Sequence, residues 1–458
     1  MPYQSAFEQK VRTRKAKVGI IGLGYVGLPL AVEFCKARFP VLGVDLDRER
    51  VKAVHAGESY IADVPESLLR KFVKMGRLLA TTNYALLKTC DAILICVPTP
   101  LSKTREPDIS YIVSSVTQLA KFIKPGQLVV LESTTYPGTT EELVAPLLTE
   151  NGKWRHENGT TGEPARPKIG ADLFVGFSPE RVDPGNPHFT IHNTPKVVSG
   201  LTPACAELTK LLYTQICEKV VPVSSPRAAE LSKLLENTYR AVNIGLANEM
   251  ALIAERLGVN IWEVIAAAST KPFGFQAFYP GPGLGGHCIP VDPLYLSWKM
   301  KRLNYNPKFL KLADDINARM PEYLIDRMKR ILKSGPPGGR GSRRKPRTLR
   351  RARIILLGIA YKRDVADARE SPALDLINLL HSKGCDAVYH DPYLPTVEYA
   401  GRTLRSVAWK PSTLRKYDLV VITTNHTFYP WRTVVQYSRR IFDTRNAIPF
   451  DSSKVVKL

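Results

Sequence analysis

No apolar run in this 458-residue chain approaches the ~18 residues that a membrane-spanning helix needs. The longest, Val18 to Val32, is short and rich in glycine. The first 17 residues are basic but contain no apolar stretch, so they do not make a secretory signal. Cysteine is scarce: the seven are odd in number, scattered and without CxxC spacing. That excludes a disulfide framework or zinc ribbon and points to a reducing, cytoplasmic setting. Acidic residues are the other shortage, 42 against 65 Lys and Arg, which leaves a formal charge of +23. Hydrophobic residues make up 44% of the chain, enough to exclude wholesale disorder. The length suits roughly two to four domains with their own cores.

The excess charge is concentrated. Ser334 to Arg353 holds eight basic residues and no acidic one, and residues 1–17 carry a further +4. Glycine, proline and like charge cannot bury apolar surface, so 335–353 reads as a flexible linker or loop. A nucleic-acid module needs a reading element, such as a helix-turn-helix or an aromatic platform, and the sequence offers none. No specific nucleic-acid partner is expected. A basic nucleic-acid-binding protein that keeps a dinucleotide fold is the competing reading of a different class.

Short apolar runs alternate with amphipathic stretches before that segment. Lys17–Gly22, Val41–Asp45, Ala92–Val97, Leu128–Glu132 and Leu173–Phe177 predict buried strands, with helices at Glu66–Met75 and Ile109–Phe122. From 203 to 265 the spacing is helical throughout. After the basic segment the alternation resumes at Arg353–Gly358, Ala387–His390, Leu419–Thr423 and Arg440–Asp443. Residues 151–168 read as a polar surface excursion. The predicted fold is α/β: two Rossmann-like doubly wound parallel-sheet domains, 1–200 and 317–458, joined by a central helical domain, 203–300.

Gly22, Gly24 and Gly27 form a GxGxxG turn directly after the first strand and before a helix. The first glycine permits the turn, the second lets a pyrophosphate approach, and the third allows close helix–strand packing. Asp45 ends the second strand, where a carboxylate accepts from an adenosine ribose and repels a 2′-phosphate. NAD is therefore favoured over NADP, although Arg48 and Arg50 stand close by.

Cys288 lies in the glycine-rich run 279–292, with His287 beside it and Asp292 four residues on. Backbone donors, an imidazole and a carboxylate around one thiol suit a nucleophile. Adjacent His and Cys without a second pair do not build a tetrahedral site, so no metal is expected.

The segments 22–29 (GLGYVGLP), 97–100 (VPTP), 132–139 (ESTTYPGT), 177–186 (FSPERVDPGN), 230–243 (ELSKLLENTYRAVN), 281–293 (GPGLGGHCIPVDP) and 358–373 (GIAYKRDVADARESPA) come in one order along the chain. Together they resemble the UDP-glucose/GDP-mannose dehydrogenase family, NAD-dependent enzymes that oxidise a nucleotide-sugar alcohol to a carboxylate. The resemblance implies a thiohemiacetal and a thioester at Cys288. It implies oxyanion stabilisation by Lys233 and Asn237, and positioning and deprotonation of water by Thr134 and Asp292. Cofactor contacts implied are Gly22, Gly24, Tyr25, Val26, Gly27, Asp45, Arg50, Thr99, Thr134 and Arg369. Substrate contacts implied are Glu180, Arg181, Val182, Lys233, Asn237, Arg240, Tyr279, Gly285, Lys362 and Arg445. The UDP-glucose branch of the family commonly carries a second glutamate four residues after the first, where this chain has Pro184. The motifs are most similar to the branch acting on UDP-N-acetylhexosamines, with UDP-N-acetylglucosamine foremost. UDP-glucose and the mannosamine and galactosamine epimers are the alternatives. The helical segment 203–265 is also the implied subunit interface of a homodimer or larger homo-oligomer.

Overall fold

A computed structural model of the chain describes residues 2–61, 63–102, 104–152, 166–183, 185–186, 188–334 and 347–458. Expectations attached to Pro184, to residues 153–165 of the polar excursion and to residues 335–346 of the basic segment lie outside the described residues. The chain divides into two compact units, Met1–Glu236 with Leu294–Asn304 and Asn237–Pro293 with Tyr305–Leu458.

The first unit is built on β1 (Val18–Ile21), β2 (Val41–Val44), β3 (Leu78–Thr81), β4 (Ala92–Ile95), β5 (Gln127–Leu131), β6 (Leu173–Phe177), β7 (Lys196–Gly200) and β8 (Val220–Pro222). They form one sheet in the order β3-β2-β1-β4-β5-β6-β7-β8, parallel except between β6 and β7. The direction of strand order reverses between β1 and β4, and ligands of such sheets bind beyond the strand ends there. The central strands are apolar on both faces because both faces are covered. Val18, Ile20, Leu94, Leu128 and Val130 enter one core, and Ile21, Ile93, Ile95, Val129 and Leu131 enter the other.

The helices of this unit are α1 (Pro2–Arg12), α2 (Gly27–Lys36), α3 (Arg48–Ala56), α4 (Glu66–Lys74), α5 (Ser110–Ala120), α6 (Ala145–Asn151) and α7 (Pro203–Tyr213). Helix α1 forms where the sequence suggested only a charged segment. Its Phe7 and Val11 are buried, and Lys10 pairs with Asp91 at 2.7 Å. Helix α7, expected to open the central helical stretch, instead covers this sheet, with Leu208 and Leu212 in the core beside α2. Helical spacing identifies an apolar face but not the surface it meets.

Helices α8 (Pro226–Leu257), α9 (Ile261–Ala268), α10 (Asp292–Arg302) and α11 (Lys308–Lys333) follow, with α8 and α10 divided between the units. The second unit contains β9 (Arg353–Leu357), α12 (Pro372–Ser382), β10 (Asp386–His390), the hairpin β11 (Thr396–Tyr399) and β12 (Arg402–Arg405), β13 (Leu419–Ile422), α13 (Trp431–Tyr437), β14 (Ile441–Asp443) and β15 (Val455–Lys457). Its five-stranded sheet is parallel throughout, in the order β10-β9-β13-β14-β15. Leaving out the hairpin, this is a doubly wound 2-1-3-4-5 order, with its own switch point between β9 and β13. Residues 347–353 of the basic segment lead into β9 through a short 3-10 turn with Leu349 buried. Among the described residues no helix is long and apolar enough to cross a membrane.

One ion pair sits inside the first unit. Lys196 Nζ lies 2.6 Å from Glu132 Oε2 and donates to the Pro179 carbonyl at 3.0 Å, while Tyr213 Oη donates to Glu132. Burial alone would lower the Lys196 ammonium. The Glu132 and Glu180 carboxylates outweigh it and hold the group above its ordinary range. Replacing Lys196 by Met strands a buried carboxylate, an arrangement that costs about 3–5 kcal/mol. Urea unfolding at neutral pH is expected to show that loss, and the loss should shrink in acid as Glu132 takes up a proton.

Candidate active site

The turn after β1 has the geometry that its glycines require. Gly22 adopts φ +92°, and a Cβ there would stand 2.6 Å from the Cys96 carbonyl oxygen. A Cβ on Gly27, the first residue of α2, would fall 1.8 Å from the Gly22 oxygen. Gly24 differs. The nearest atom to a Cβ there is Arg50 Nη1, at 3.9 Å. Two glycines are thus needed for packing, and the middle one leaves open space under a guanidinium. That opening lies just before the positive end of α2, an end that favours anions. Tyr25 is exposed beside it and Val26 is half-buried at the helix start.

Asp45 is buried. Its Oδ2 accepts from Leu23 N at 2.7 Å and lies 3.5 Å from Arg50 Nη1, while its Oδ1 accepts from Asp47 N at 2.9 Å. The carboxylate ties the glycine turn to β2, and about four acceptor positions per carboxylate leave capacity for a ribose hydroxyl. Thr99 follows β4 across the switch point, and its carbonyl accepts from Tyr295 Oη at 2.9 Å. Thr134 is half-buried just beyond β5, next to Thr135, whose hydroxyl is paired with that of Thr139 at 2.6 Å.

Lys233 is buried on α8 and donates to the Glu180 carbonyl. The Glu180 carboxylate turns back onto its own chain, Oε1 accepting from Arg181 N at 2.8 Å and from Val182 N at 2.5 Å. Arg181 is engaged inside the protein: Nη2 meets Glu236 Oε1 at 2.6 Å, and Nη1 donates to the Pro195 carbonyl at 2.7 Å.

In the second unit Asn237 Nδ2 donates to Asp292 Oδ2 at 2.6 Å, and both residues are buried. Asp292 N donates to the Cys288 carbonyl at 2.8 Å. Cys288 therefore sits one turn ahead of Asp292 at the start of α10. Of the seven cysteines it is the one that is not buried. Burial pushes the thiols of Cys35 and Cys217 up to about 12 and that of Cys90 to about 11, which makes them poor nucleophiles.

The glycine run before Cys288 is held on both sides. Gly281 N donates to Asn248 Oδ1 at 2.9 Å, and Asn248 Nδ2 donates to Asn317 Oδ1 at 2.8 Å. Gly286 N donates to the Arg369 carbonyl at 3.1 Å. A Cβ on Gly285 would lie 2.8 Å from Tyr361 Cβ, so the run packs against the loop after β9. That loop carries half-buried Lys362 and is closed by Asp391, whose Oδ2 accepts from Ile359 N at 2.7 Å and Ala360 N at 3.0 Å. His426 Nδ1 accepts from Asp364 N at 2.9 Å, so its Nε2 carries the proton toward Asp391 at 3.1 Å.

Four further expected contacts have the following surroundings. The Arg369 guanidinium forks onto Asp367, at 3.0 Å and 2.6 Å to Oδ2. Tyr279 is exposed and stacks on Trp262 at 6.1 Å. Arg240 is exposed on α8. Arg445 donates through Nε to the Thr423 carbonyl at 2.8 Å, and burial brings its guanidinium down to about 10. Its Nη1 would lie 2.6 Å from a Cβ on Gly281, so it borders the glycine run. The sequence reading missed Glu132, Lys196, Glu230, Asn248, Asp391 and His426. The legible signal for Glu230 and Asn248 was polar side chains at core positions of an amphipathic helix.

The glycine geometry separates folding from ligand binding. Gly24→Ala should melt at the wild-type temperature yet bind NAD at least tenfold more weakly in a fluorescence titration. Gly27→Ala should lose stability itself, because its Cβ collides with backbone.

Comparison with known proteins identifies the whole chain. Residues 16–217 match the NAD binding domain of the UDP-glucose/GDP-mannose dehydrogenase family, 227–319 its central domain and 355–451 its UDP binding domain. An NDP-N-acetyl-D-galactosaminuronic acid dehydrogenase of Ralstonia nicotianae is 32% identical over 93% of this chain and 95% of its own. A UDP-N-acetyl-D-glucosamine 6-dehydrogenase of Pseudomonas aeruginosa is 34% identical over 82% of this chain and 83% of its own. The solved UDP-D-ManNAc dehydrogenase of Pyrococcus horikoshii superposes with a TM-score of 0.81 at 30% identity, over 96% of this chain and 98% of that one. By these three domain matches and these relatives, the chain belongs to the UDP-glucose/GDP-mannose dehydrogenase family and is an NAD-dependent nucleotide-sugar dehydrogenase.

Proposed function

We propose that the chain oxidises C6 of a UDP-N-acetylhexosamine, UDP-N-acetylglucosamine foremost, from alcohol to carboxylate through covalent intermediates on Cys288. The observation that carries this reading is the contrast among the cysteines: one thiol is accessible in a glycine-rich turn, and six are buried. Bound NAD supplies the hydride acceptor.

The residues divide the remaining work. The Cys288 thiolate adds to the aldehyde carbon left by the first oxidation, forming a C–S bond and a thiohemiacetal. Loss of a second hydride from that carbon gives a thioester. Water then adds, the C–S bond breaks, and the thiolate leaves with the acid formed. Two hydrides depart per sugar. Each tetrahedral state carries charge on oxygen, which the Lys233 ammonium and the Asn237 amide stabilise. One Asn237 N–H already binds Asp292, which fixes the amide plane and leaves the other hydrogen for the oxyanion. Asp292 is the base for water, with Thr134 orienting it. Lys362 and Arg445 are the anion contacts for the diphosphate. Arg181 and Arg369 have carboxylate partners of their own, so their part is to hold Glu180 and the Gly286 turn in place.

The relatives support the amino-sugar reading, because glucosamine, galactosaminuronic acid and mannosamine names recur among them. The epimer is decided by kcat/KM across UDP-N-acetylglucosamine, its two epimers and UDP-glucose. With the best of these, two NADH per uronate are expected, and Cys288→Ser should accumulate no acid at a rate above about one-thousandth of wild type. One NADH per product, or full turnover without the thiol, sinks the mechanism.

A second copy of the chain completes the reading. In the second unit α8 exposes Leu246, Met250, Ile253 and Leu257 at helical spacing, an apolar edge suited to self-association. Light scattering should give twice the chain mass, and Met250→Glu with Leu257→Glu should return it to the monomer value.

A further inference from the structure

A buried carboxylate stands three residues before Lys233 on α8 and has no part in the chemistry so far assigned. Glu230 is fully buried. Its Oε2 accepts from Gly138 N at 2.5 Å, and its Oε1 accepts from Thr140 N at 2.9 Å and from Thr140 Oγ1 at 2.7 Å. Three donors from one short segment thus converge on one side chain. The segment is the continuation of the 132–139 motif, which begins at Glu132 and carries Thr134.

The same segment is gripped elsewhere. Ser133 Oγ donates to the Val97 carbonyl at 2.8 Å, and Thr135 and Thr139 share a hydrogen bond across the turn. Arg227, just before Glu230 on α8, reaches Glu141 Oε2 at 2.8 Å and Glu142 Oε1 at 3.2 Å from the solvent side. Lys299 reaches Glu142 Oε2 at 2.7 Å. The exposed pairs are weak by their nature, worth about 0–1 kcal/mol each. The buried carboxylate is the firm contact between this loop and α8.

We propose that Glu230 is a positioning residue for catalysis: it locks the Thr134 loop to the first turns of α8, so that Thr134 and Lys233 are held in one rigid piece. The inference rests on the roles proposed above for those two residues. Chemistry supports the choice of a carboxylate. An anion accepts from all three donors with no hydrogen of its own to place, whereas a carboxamide sets an N–H against one of them and a protonated acid needs an acceptor for its O–H.

The groups facing Glu230 are Thr140 and Glu141 on the loop and Tyr136 at its other end. Burial is the largest influence on its carboxyl. The bonds from Thr140 and Gly138 oppose it, Glu141 adds to it, and the result is pushed up to about 7. The sign follows. The folded protein favours the proton below that value, and the three-donor lock is complete only above it.

The test is steady-state kinetics of the full chain from pH 6 to 9 with NAD and the best UDP-sugar, for wild type, Glu230→Gln and Thr140→Val. Misplacement of catalytic groups by about 1 Å costs about a hundredfold. Glu230→Gln should therefore lose about a hundredfold in kcat, with KM for NAD and sugar within about twofold of wild type. The wild-type kcat should rise through pH 7, and that limb should be absent from the variant. Thr140→Val, which removes one bond and leaves the carboxylate, should lose about fivefold in kcat. It decides the matter if Glu230→Gln melts below the assay temperature. Near-wild-type kcat in a folded variant, or an unchanged limb near pH 7, overturns the proposal. Absence of NADH with every sugar in the wild type overturns the proposed function instead.

Discussion

Both sheets depend on one bond: a carboxylate at the end of the second strand accepting the backbone N–H groups that leave the first. In the first unit Asp45 takes Leu23 N at 2.7 Å; in the second Asp391 takes Ile359 N at 2.7 Å and Ala360 N at 3.0 Å. The need arises from strand order. At a switch point the chain leaves the first strand where its neighbours turn away to opposite sides, and the ladder no longer supplies acceptors. A glycine with positive φ opens each turn, Gly22 at +92° and Gly358 at +85°. The ladder's last bond reaches each glycine in the same way, from the Val44 and His390 carbonyls. The turns then differ in what they leave open. The first has Gly24, with empty space where a side chain would stand. The second follows Gly358 with Ile359, Ala360 and Tyr361, and presents Lys362 instead. One scaffold therefore presents open backbone at its turn in one unit and an ammonium in the other.

Helix α8 joins structure to chemistry in another way. Glu230, Lys233, Asn237 and Asn248 are buried on it, and a buried polar group is costly unless bonded. Each has its partner: the 138–140 loop, the Glu180 carbonyl, Asp292, and Gly281 with Asn317. Every segment that carries a proposed catalytic residue is thus tied to this helix by a hydrogen bond that no apolar side chain could replace. A helix packed through leucine would hold those segments less specifically, because apolar contacts tolerate sliding and a bond at 2.6 Å does not.

Much of the fold was legible because parallel strands buried on both faces leave a plain trace. Runs such as Ala92–Ile95 and Leu173–Phe177 are apolar without alternation, and the structure ends them within two residues of the expected limits. Strands β3, β7 and β8 were not legible. Leu79 faces solvent, Lys196 is charged, and β8 is three residues long, so no apolar run marks them. The glycine turn after β1 was legible because the residues that shape it lie close together in sequence. The locks around the candidate site were not. Glu230 meets Thr140 across 90 positions and Lys196 meets Glu132 across 64, and no local spacing encodes such a pair.

The same limit governs the arginines. A chain with 65 basic residues offers many apparent anion contacts to a reader of sequence. A guanidinium, however, binds its own protein's carboxylate with the same forked geometry that it offers a phosphate. Arg181 on Glu236 and Arg369 on Asp367 are already satisfied in that way. Lys233 and Arg445 instead spend a hydrogen on backbone carbonyls, which are neutral, although the Asp443 carboxylate also acts on Arg445. Net positive charge at a binding site is therefore set by the partner that each cation lacks. By that criterion, few of the cations among the described residues are suited to a diphosphate or an oxyanion.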